Sequence, residues 1–186
     1  MLTPMNRSEM LKELHIEGKE FAEVGVFKAG FSQDIFSNQP KNLYLIDPWR
    51  HQSSSVYPAD DFANVSDPEF DQVYAGVQEI FKGKPNVLVI RDFSILAVKR
   101  FSDESLDFVY IDAVHTYESC LIDISLWWHK VKPGGWILGH DYTPGPTSQA
   151  IQFPGIRNAV DSFLRVSGRK LSLMTLEPWG SWGIRK

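Results

Sequence analysis

The sequence has a single cysteine and no long run of apolar or of basic residues. Cys120 cannot form a disulfide within the chain, which is typical of a protein kept in a reducing cytoplasm. Because there is no span of about 18 apolar residues and no positively charged apolar leader, we predict neither membrane insertion nor export. Lysines and arginines do not cluster and the formal net charge is −4, so we expect no nucleic-acid partner.

The chain also lacks repeats, low-complexity tracts and a convincing interdomain linker. At 186 residues, with 43% apolar and 23% charged residues, it has the composition of one compact domain. Residues 1–18 are expected to form a polar N-terminal helical segment packed outside the sheet, and the domain itself would span residues 19–186. No separate substrate domain is left, which favours a small molecule, or an exposed group of a partner, as the ligand. A monomer and a homo-oligomer are both compatible with the sequence.

Strand-like and helix-like segments alternate from Phe21 onward. Apolar runs predict five strands separated by helices, at residues 21–27, 43–47, 86–92, 106–112 and 136–141. Runs that are apolar on both faces are typical of a parallel sheet covered by helices on both sides. Two further segments, 170–176 and 181–185, are joined through Pro178 and Gly180, which predicts an antiparallel hairpin. The predicted fold class is α/β: a single-domain, Rossmann-like, seven-stranded, mostly parallel sheet with a C-terminal antiparallel hairpin and helices on both faces.

Polar residues follow the fourth and fifth predicted strands at the points where these strands end. Leu106–Ile111 is followed by Asp112, and Trp136–Leu138 is followed, after one glycine, by His140 and Asp141. In parallel α/β sheets, ligands bind just beyond the carboxyl ends of the strands. The sequence therefore predicts a functional site at this edge of the sheet.

The first strand leads into a turn with the sequence EVGVFKAGFS. Gly25 can let a ligand approach the backbone, and Gly30 can relieve crowding where the next helix begins. Asp47 ends the second strand about 20 residues later, where nucleotide-binding sheets place a carboxylate for the ribose hydroxyls. The alternatives are a tight strand–helix turn without a ligand, and an aspartate that only forms a turn before the proline that follows it.

The third predicted strand ends in the segment Arg91-Asp92-Phe93-Ser94. Asp92 or Ser94 can accept a hydrogen bond from an adenine amino group, and Phe93 can cover the face of the base. The alternative is that Asp92 or Ser94 only caps the helix that follows.

Three segments together resemble the class I S-adenosylmethionine-dependent methyltransferases, especially the small methyltransferase 24 type. They are EVGVxxGxS from Glu23 to Ser32, SLDFVYIDAxHxY from Ser105 to Tyr117, and VKPGGWILGHDY from Val131 to Tyr142. Five strand–helix units that end in a hairpin are also the element order of this class. Over about residues 19–186, the chain is similar as well to the metal-dependent catechol-type and macrolide-sugar O-methyltransferases.

The resemblance implies that S-adenosylmethionine is the cofactor. Glu23 and Gly25 would border its methionine part, Asp47 would hold its ribose, and residues 92–94 would hold its adenine. The full set of expected cofactor-binding residues is Glu23, Gly25, Ser32, Asp47, Asp92, Phe93, Ser94 and Asp112.

In the similar metal-dependent enzymes, one acidic ligand follows the fourth strand and a pair of ligands follows the fifth. Asp112 and Asp141 match two of these positions, and His140 stands where the family commonly has an aspartate. These three residues are the expected ligands of a divalent metal, Mg²⁺ or Mn²⁺, and the imidazole shifts the preference away from Mg²⁺. The alternative is that these side chains cap helices and pin loops without a metal.

His115 falls where the catechol-type enzymes carry a lysine general base. A neutral imidazole can remove the proton of an acceptor hydroxyl as the methyl group arrives. His115 is therefore the first candidate for the base, and Asp112 and His140 are the other expected catalytic residues.

The connection 49–67 and the segment 143–154 are candidate walls of an acceptor site, because long loops often bind ligands. The side chains expected to contact an acceptor are Trp49, His51, Tyr57 and Tyr142. Asp123, on the helix after the fourth strand, is expected to be a packing or surface residue.

The leading hypothesis is methyl transfer from S-adenosylmethionine to a small-molecule acceptor, most simply at a hydroxyl oxygen. The main alternative is a non-catalytic or regulatory protein that keeps the cofactor-binding fold. A dinucleotide-dependent oxidoreductase is a third hypothesis, and the lack of a G-x-G-x-x-G motif together with the terminal hairpin argues against it.

Overall fold

The computed structural model describes residues 5–53, 63–143 and 153–186. The strands of the described residues form one sheet: Glu20–Val24 (β1), Asn42–Asp47 (β2), Val87–Arg91 (β3), Leu106–Ile111 (β4), Val131–Gly139 (β5), Leu173–Met174 (β6) and Trp182–Arg185 (β7). Their order is β3-β2-β1-β4-β5-β7-β6. The first five strands run parallel, and β7 is antiparallel to both β5 and β6. The predicted fold class is confirmed.

The helices of the described residues alternate with these strands. They are Arg7–Glu13 (α1), Gly30–Ser37 (α2), Asp67–Ile80 (α3), Ser94–Ala97 (α4), which continues as the 3₁₀ turn Val98–Arg100, Tyr117–Trp128 (α5) and Pro154–Ser167 (α6). Within the described ranges, no helix has the length and apolar character that crossing a membrane requires.

The two faces of the sheet are covered by different helices. Along β4, Val109 and Ile111 point into a layer with residues of α5 and α6, whereas Phe108 and Tyr110 point into a layer with residues of α1, α2 and α3. Because side chains of a strand alternate between its faces, an unbroken apolar run is what a strand buried on both faces requires.

α1 packs into the second of these layers. Asn6 and Glu9 cap its first turn reciprocally, since the side chain of each accepts the backbone N–H of the other at 2.9 Å. Met10 and Leu11 are fully buried. The helix therefore shares the core with the sheet, and this packing fixes the position of Arg7 in its first turn.

The strands differ from the segments that the sequence predicts by one to five residues at their ends, and β1 ends at Val24 rather than at residue 27. β5 begins at Val131 rather than Trp136, because the Pro-Gly-Gly residues continue the strand as a bulge. Between the pairs Leu106–Val131 and Phe108–Trp136, β5 advances by five residues while β4 advances by two. β6 has only the two residues Leu173–Met174, instead of the predicted segment 170–176.

Candidate active site

The carboxyl ends of β1, β2, β4 and β5 border a cavity of about 890 Å³. Since β3 and β5 lie on opposite sides of β1 and β4, the residues that follow them line opposite ends of this cavity. We call the end next to β3 the apolar end, because its large side chains are Phe93, Ile95 and Ile122. We call the end next to β5 the charged end, because its ionisable side chains are Arg7, Asp112, His115, His140 and Asp141.

Gly25 lies between these ends, where the turn after β1 passes closest to the end of β4. Its φ of +90° is a conformation that favours glycine. A Cβ at this position would lie 2.7 Å from the Cα of Ala113 and closer still to the backbone carbonyl of Asp112. From the sequence, glycine is expected at position 25 because a ligand approaches the backbone there. The structure gives a second reason, because the backbone of residues 112–113 passes close to Gly25.

Glu23, the last residue but one of β1, is a buried acid in the cavity wall. Burial raises its pKa to about 8, a shift that the hydrogen bond from the Ser32 hydroxyl opposes and the nearby charge of Asp112 increases. Ser32 is itself fully buried, and its hydroxyl donates to Glu23. Ser32 therefore lies behind the cavity surface, where its hydrogen bond orients Glu23.

Asp47 holds the turn after β1 in place. Its Oδ2 accepts the backbone N–H groups of Val26 and Phe27, each at 3.0 Å, and its Oδ1 accepts that of Trp49 at 2.7 Å. Burial raises the pKa of Asp47, and these three hydrogen bonds oppose the rise. Asp47 lines the cavity, as the ribose assignment requires, and it also makes the turn that was the alternative interpretation.

The residues that follow β3 divide into two groups. Asp92 points away from the cavity surface, where its carboxylate pairs with Arg100 at 3.0 Å and accepts the N–H of Phe93 at 2.9 Å. Phe93 and Ser94 line the cavity. Of the residues expected to contact the adenine, Phe93 and Ser94 thus line the cavity, and the side chain of Asp92 does not cap α4, whose N-cap residue is Phe93.

Asp123 is a cavity residue that the sequence interpretation missed. Its carboxylate is buried and accepts a hydrogen bond from Ser94, whose hydroxyl in turn accepts the indole N–H of Trp127 at 2.8 Å. Burial raises the pKa of Asp123 to about 6, against the effect of the Ser94 hydrogen bond. Asp123 thus places a buried acid, rather than a surface one, beside the apolar end.

His115 lies between two carboxylates at the charged end. Its Nε2 is 3.5 Å from Oδ1 of Asp112 and 3.2 Å from Oδ2 of Asp141. The imidazole packs against the ring of Phe153, with 4.1 Å between the ring centroids, and only 12% of the side chain is exposed. Two separate strand ends and the start of α6 therefore fix the orientation of this histidine.

His140 contacts the same cluster from one side. Its Nδ1 is 3.3 Å from Oδ1 of Asp141. Burial alone would lower the pKa of His140, but the hydrogen bond to Asp141 and the charge of Asp112 raise it. Burial alone would raise the pKa of Asp141, but the hydrogen bonds from His115 and His140 lower it to about 2. Asp141 is therefore an ionised acid that both imidazoles stabilise.

The backbone at the end of β5 has an uncommon conformation. Asp141 has a φ of +63°, and Trp179, which lines the same cavity, has a φ of +54°. The N–H of Asp141 donates to the carbonyl of Trp179 at 3.1 Å, so a backbone hydrogen bond joins the two strained residues. Such strain in residues other than glycine is concentrated at functional sites.

Arg7 is the second cavity residue that the sequence interpretation missed. Its guanidinium lies over the ring of Phe31, 4.7 Å from the ring centroid, and its Nη1 is 3.6 Å from Oδ2 of Asp112. A signal in the sequence could have found it, because Arg7 stands three and four residues before the buried Met10 and Leu11 and so shares their helix face. Asp123 shows the same signal among the buried residues of α5.

Of the side chains expected to contact an acceptor, the three that the structure describes do not line the cavity. Trp49 is fully buried, with its indole N–H donating to the carbonyl of Phe27 at 2.9 Å, so the expectation of an acceptor contact is wrong for this residue. His51 is exposed beside Val65, and the hydroxyl of Tyr142 donates to Asp161 at 2.7 Å. Tyr57 lies outside the described residues.

Several solved methyltransferases have a similar fold. The O-methyltransferase NovP aligns with a TM-score of 0.68 and 14% identity, covering 97% of this chain and 79% of its own. An O-methyltransferase from Bacillus cereus, solved in complex with SAH, gives 0.68 and 13%, over 100% of this chain and 83% of its own. A SAM-dependent methyltransferase from Aquifex aeolicus gives 0.61 and 16%, over 98% and 89%. At these identities the likeness establishes the fold.

A sheet of this order with a cavity at its carboxyl edge defines the class I S-adenosylmethionine-dependent methyltransferases. A family model described as "Methyltransferase domain", of type 24, matches residues 23–142 of this chain. The chain therefore belongs to this methyltransferase family and is an enzyme of methyl transfer. A comparison with curated proteins finds no significant match.

Proposed function

We propose that this enzyme transfers a methyl group from S-adenosylmethionine to a hydroxyl oxygen of a small-molecule acceptor in the cytoplasm. The observation that carries the proposal is the position of His115, an imidazole only 12% exposed between two carboxylates at one end of a cavity whose other end is apolar. The family membership supplies the methyl transfer, and the charged end suits the removal of a hydroxyl proton. The lone Cys120 is buried in α5, which suits a reducing compartment.

The apolar end fits the adenine of the cofactor. Phe93, Ile95 and Ile122 offer apolar surface to the faces of a flat base. Asp123, at the edge of this surface, has a carboxylate that can accept the exocyclic amino group. Asp47 accepts ribose hydroxyls through lone pairs that its three backbone partners leave available, since a carboxylate has about four such positions.

S-adenosylmethionine, when bound, supplies a methyl group on a sulfonium sulfur. The protein orients the acceptor at the charged end and removes its proton. The imidazole of His115 accepts the proton, and the resulting imidazolium is stabilised by Asp112 and Asp141, whose carboxylate oxygens lie 3.5 Å and 3.2 Å from its Nε2. His140 holds Asp141 in its orientation, because its Nδ1 lies 3.3 Å from the other oxygen of that carboxylate.

The test separates cofactor binding from catalysis. Calorimetry with S-adenosylhomocysteine and with NAD should show binding of the first only, and NAD binding alone would favour an oxidoreductase. Methyl transfer should then appear with some members of a panel of phenols and sugars. Tight binding of S-adenosylhomocysteine without turnover of any acceptor would instead support the alternative of a non-catalytic protein.

A divalent metal at the charged end is a second candidate, and one observation favours it. Asp112, His115 and Asp141 each offer a ligand atom, and these atoms lie within 4.8 Å of one another. The donor set replaces the expected His140 by His115, and its imidazole and carboxylates suit Mn²⁺, Fe²⁺ or Zn²⁺ better than Mg²⁺. A bound metal would polarise the acceptor oxygen.

The two roles of His115 exclude each other, because a nitrogen that binds a metal cannot also accept a proton. Chelator-treated enzyme should keep its activity if His115 is the base. If activity is lost and returns with Mn²⁺, and if Asp141→Asn abolishes Mn²⁺ binding, the metal interpretation replaces the base.

A further inference from the structure

Arg7 lies in the cavity wall, and the chemistry proposed above does not use it. The side chain is 32% exposed, and its Nη1 is 3.6 Å from Asp112, which is longer than a direct hydrogen bond. Its position is not that of a surface residue, because α1 is held in the core by Met10 and Leu11. The protein thus keeps a guanidinium at this point of the cavity at the cost of partly desolvating it.

The first turn of α2 lies next to this guanidinium. Arg7 covers the ring of Phe31, the second residue of α2, at 4.7 Å. The residue before α2, Ala29, has no side-chain hydrogen bond to the first turn, so the N–H groups of that turn are not capped by it. An anion bound here would be stabilised both by the positive end of the helix and by the charge of the guanidinium.

The path of the proposed cofactor leads to this place. With its adenine at the apolar end, its amino-acid tail runs along the turn after β1, past Glu23 and Gly25, towards the charged end. That tail ends in an ammonium and a carboxylate. Glu23, at the end of β1, suits the ammonium, and the beginning of α2 with Arg7 suits the carboxylate.

We infer that Arg7, placed in the cavity by α1, binds the carboxylate of the cofactor's methionine part. The planar fork of the guanidinium matches a carboxylate in two parallel hydrogen bonds. In the cofactor-free protein the same group rests against Asp112. This inference rests on the proposed function, because it takes S-adenosylmethionine as the ligand of the cavity.

The experiment compares two ligands that differ only in the carboxylate. S-adenosylhomocysteine and its decarboxylated analogue, S-adenosyl-3-thiopropylamine, are titrated by calorimetry into the wild type, Arg7→Gln and Arg7→Lys. The wild type should prefer S-adenosylhomocysteine by about tenfold to a hundredfold, the range of a charge-assisted hydrogen-bonded pair. Arg7→Gln should reduce this preference to a few-fold while leaving affinity for the analogue nearly unchanged, and Arg7→Lys should lie in between.

Lys12→Gln is the matched control, because Lys12 is an exposed basic residue of the same helix. It should leave the preference between the two ligands unchanged, and an equal effect of both substitutions would overturn the inference in favour of a general charge effect. Equal losses of affinity for both ligands in Arg7→Gln would overturn it in favour of a structural role. If Arg7→Gln keeps the preference for S-adenosylhomocysteine but loses turnover of the acceptor, the inference is wrong and Arg7 binds the acceptor instead. A wild type that binds neither ligand would overturn the proposed function and this inference with it.

Discussion

The apolar end and the charged end of the cavity are built in opposite ways. At the apolar end, large side chains are left uncovered: Phe93 is 36%, Ile122 48% and Ile95 52% exposed. At the charged end, the side chains of His115, His140 and Asp141 are only 12%, 16% and 6% exposed and are paired with one another. Covering exposed apolar surface with a ligand makes the free energy of binding more favourable. Buried and paired charges are already oriented before a ligand arrives. The apolar end is therefore suited to affinity, and the charged end is suited to chemistry and, through Arg7, to holding the carboxylate of the cofactor.

Gly25→Ala should have the largest effect and should disturb both ends of the cavity, because Gly25 lies between them. A methyl group there would strike the backbone of Asp112 and Ala113, and the φ of +90° would be strained. We expect a loss of about 3 kcal/mol or more in the free energy of unfolding, together with loss of cofactor binding. Urea unfolding measures it. Gly76→Ala, in the exposed middle of α3 with nothing near its Cβ, should not destabilise the protein, and similar losses for both would contradict the backbone argument.

His115→Ala should affect the charged end alone. Loss of a general base lowers kcat by about 10²–10⁴-fold, and affinity for S-adenosylhomocysteine should stay the same because none of the contacts proposed for the cofactor involves His115. Steady-state kinetics and calorimetry measure the two effects. His129→Ala, at the exposed C-terminal end of α5, is the control and should keep full activity. An unchanged kcat in His115→Ala would place the base elsewhere.

Asp47→Ala should affect affinity before it affects chemistry. It removes the acceptor of three backbone N–H groups as well as the partner of the ribose, so S-adenosylhomocysteine should bind tenfold or more weakly, at about 1.5–3 kcal/mol per charge-assisted hydrogen bond. Asp92→Ala is the comparison, since the Asp92 carboxylate pairs with Arg100 and should matter little. Equal effects of the two substitutions would remove the distinction drawn between these acids.

The smallest effect concerns the proton of Glu23. With a pKa of about 8, this acid is protonated in about ten of eleven molecules at pH 7, and a cationic ligand beside it favours the ionised form. S-adenosylmethionine binding should release up to about 0.9 proton, measured by calorimetry in buffers of different ionisation enthalpy. Glu23→Gln should abolish the release, and a release that persists would assign the proton to another group.

The same pKa sets the sign of a stability effect. The folded state holds the proton of Glu23 more tightly than the unfolded chain, in which the pKa is near 4.5. Its contribution to stability is therefore complete below about pH 4.5 and is lost as the pH rises through 8. In the cofactor-free protein, Glu23→Gln should flatten this part of the dependence of the unfolding free energy on pH.

The sequence predicted the sheet well, because strands buried on both faces are legible as apolar runs. It also predicted that Asp112 and Asp141 would meet, since the carboxyl ends of adjacent parallel strands share an edge. It could not predict which side chains near that edge turn inward. Trp49 stands in a polar segment and yet is fully buried, because its indole N–H reaches the carbonyl of Phe27. Packing between distant segments decides such cases, and it is absent from any local pattern.

Arg7 and Asp123 are also side chains whose inward orientation was not predicted, although the sequence contains a signal for both. A charged residue on the apolar face of a helix is costly unless a ligand or a partner compensates for it. His115 and His140 show the remaining gap: the sequence placed both at the right edge, but only the conformation of the two loops determines which imidazole lies between the carboxylates.

The packing of α1 into the core has a consequence for how the chain folds during synthesis. Arg7 and Asp112 approach each other across 105 residues of sequence, the difference between their numbers. The entropy of closing so long a loop must be overcome before this contact forms, and contacts of this kind slow folding. The cluster that Met10 and Leu11 join stays incomplete until β4 has left the ribosome, since Phe108 and Tyr110 belong to it. α1 therefore docks fully only after β4 has been made, and its apolar face must meanwhile be kept from aggregating.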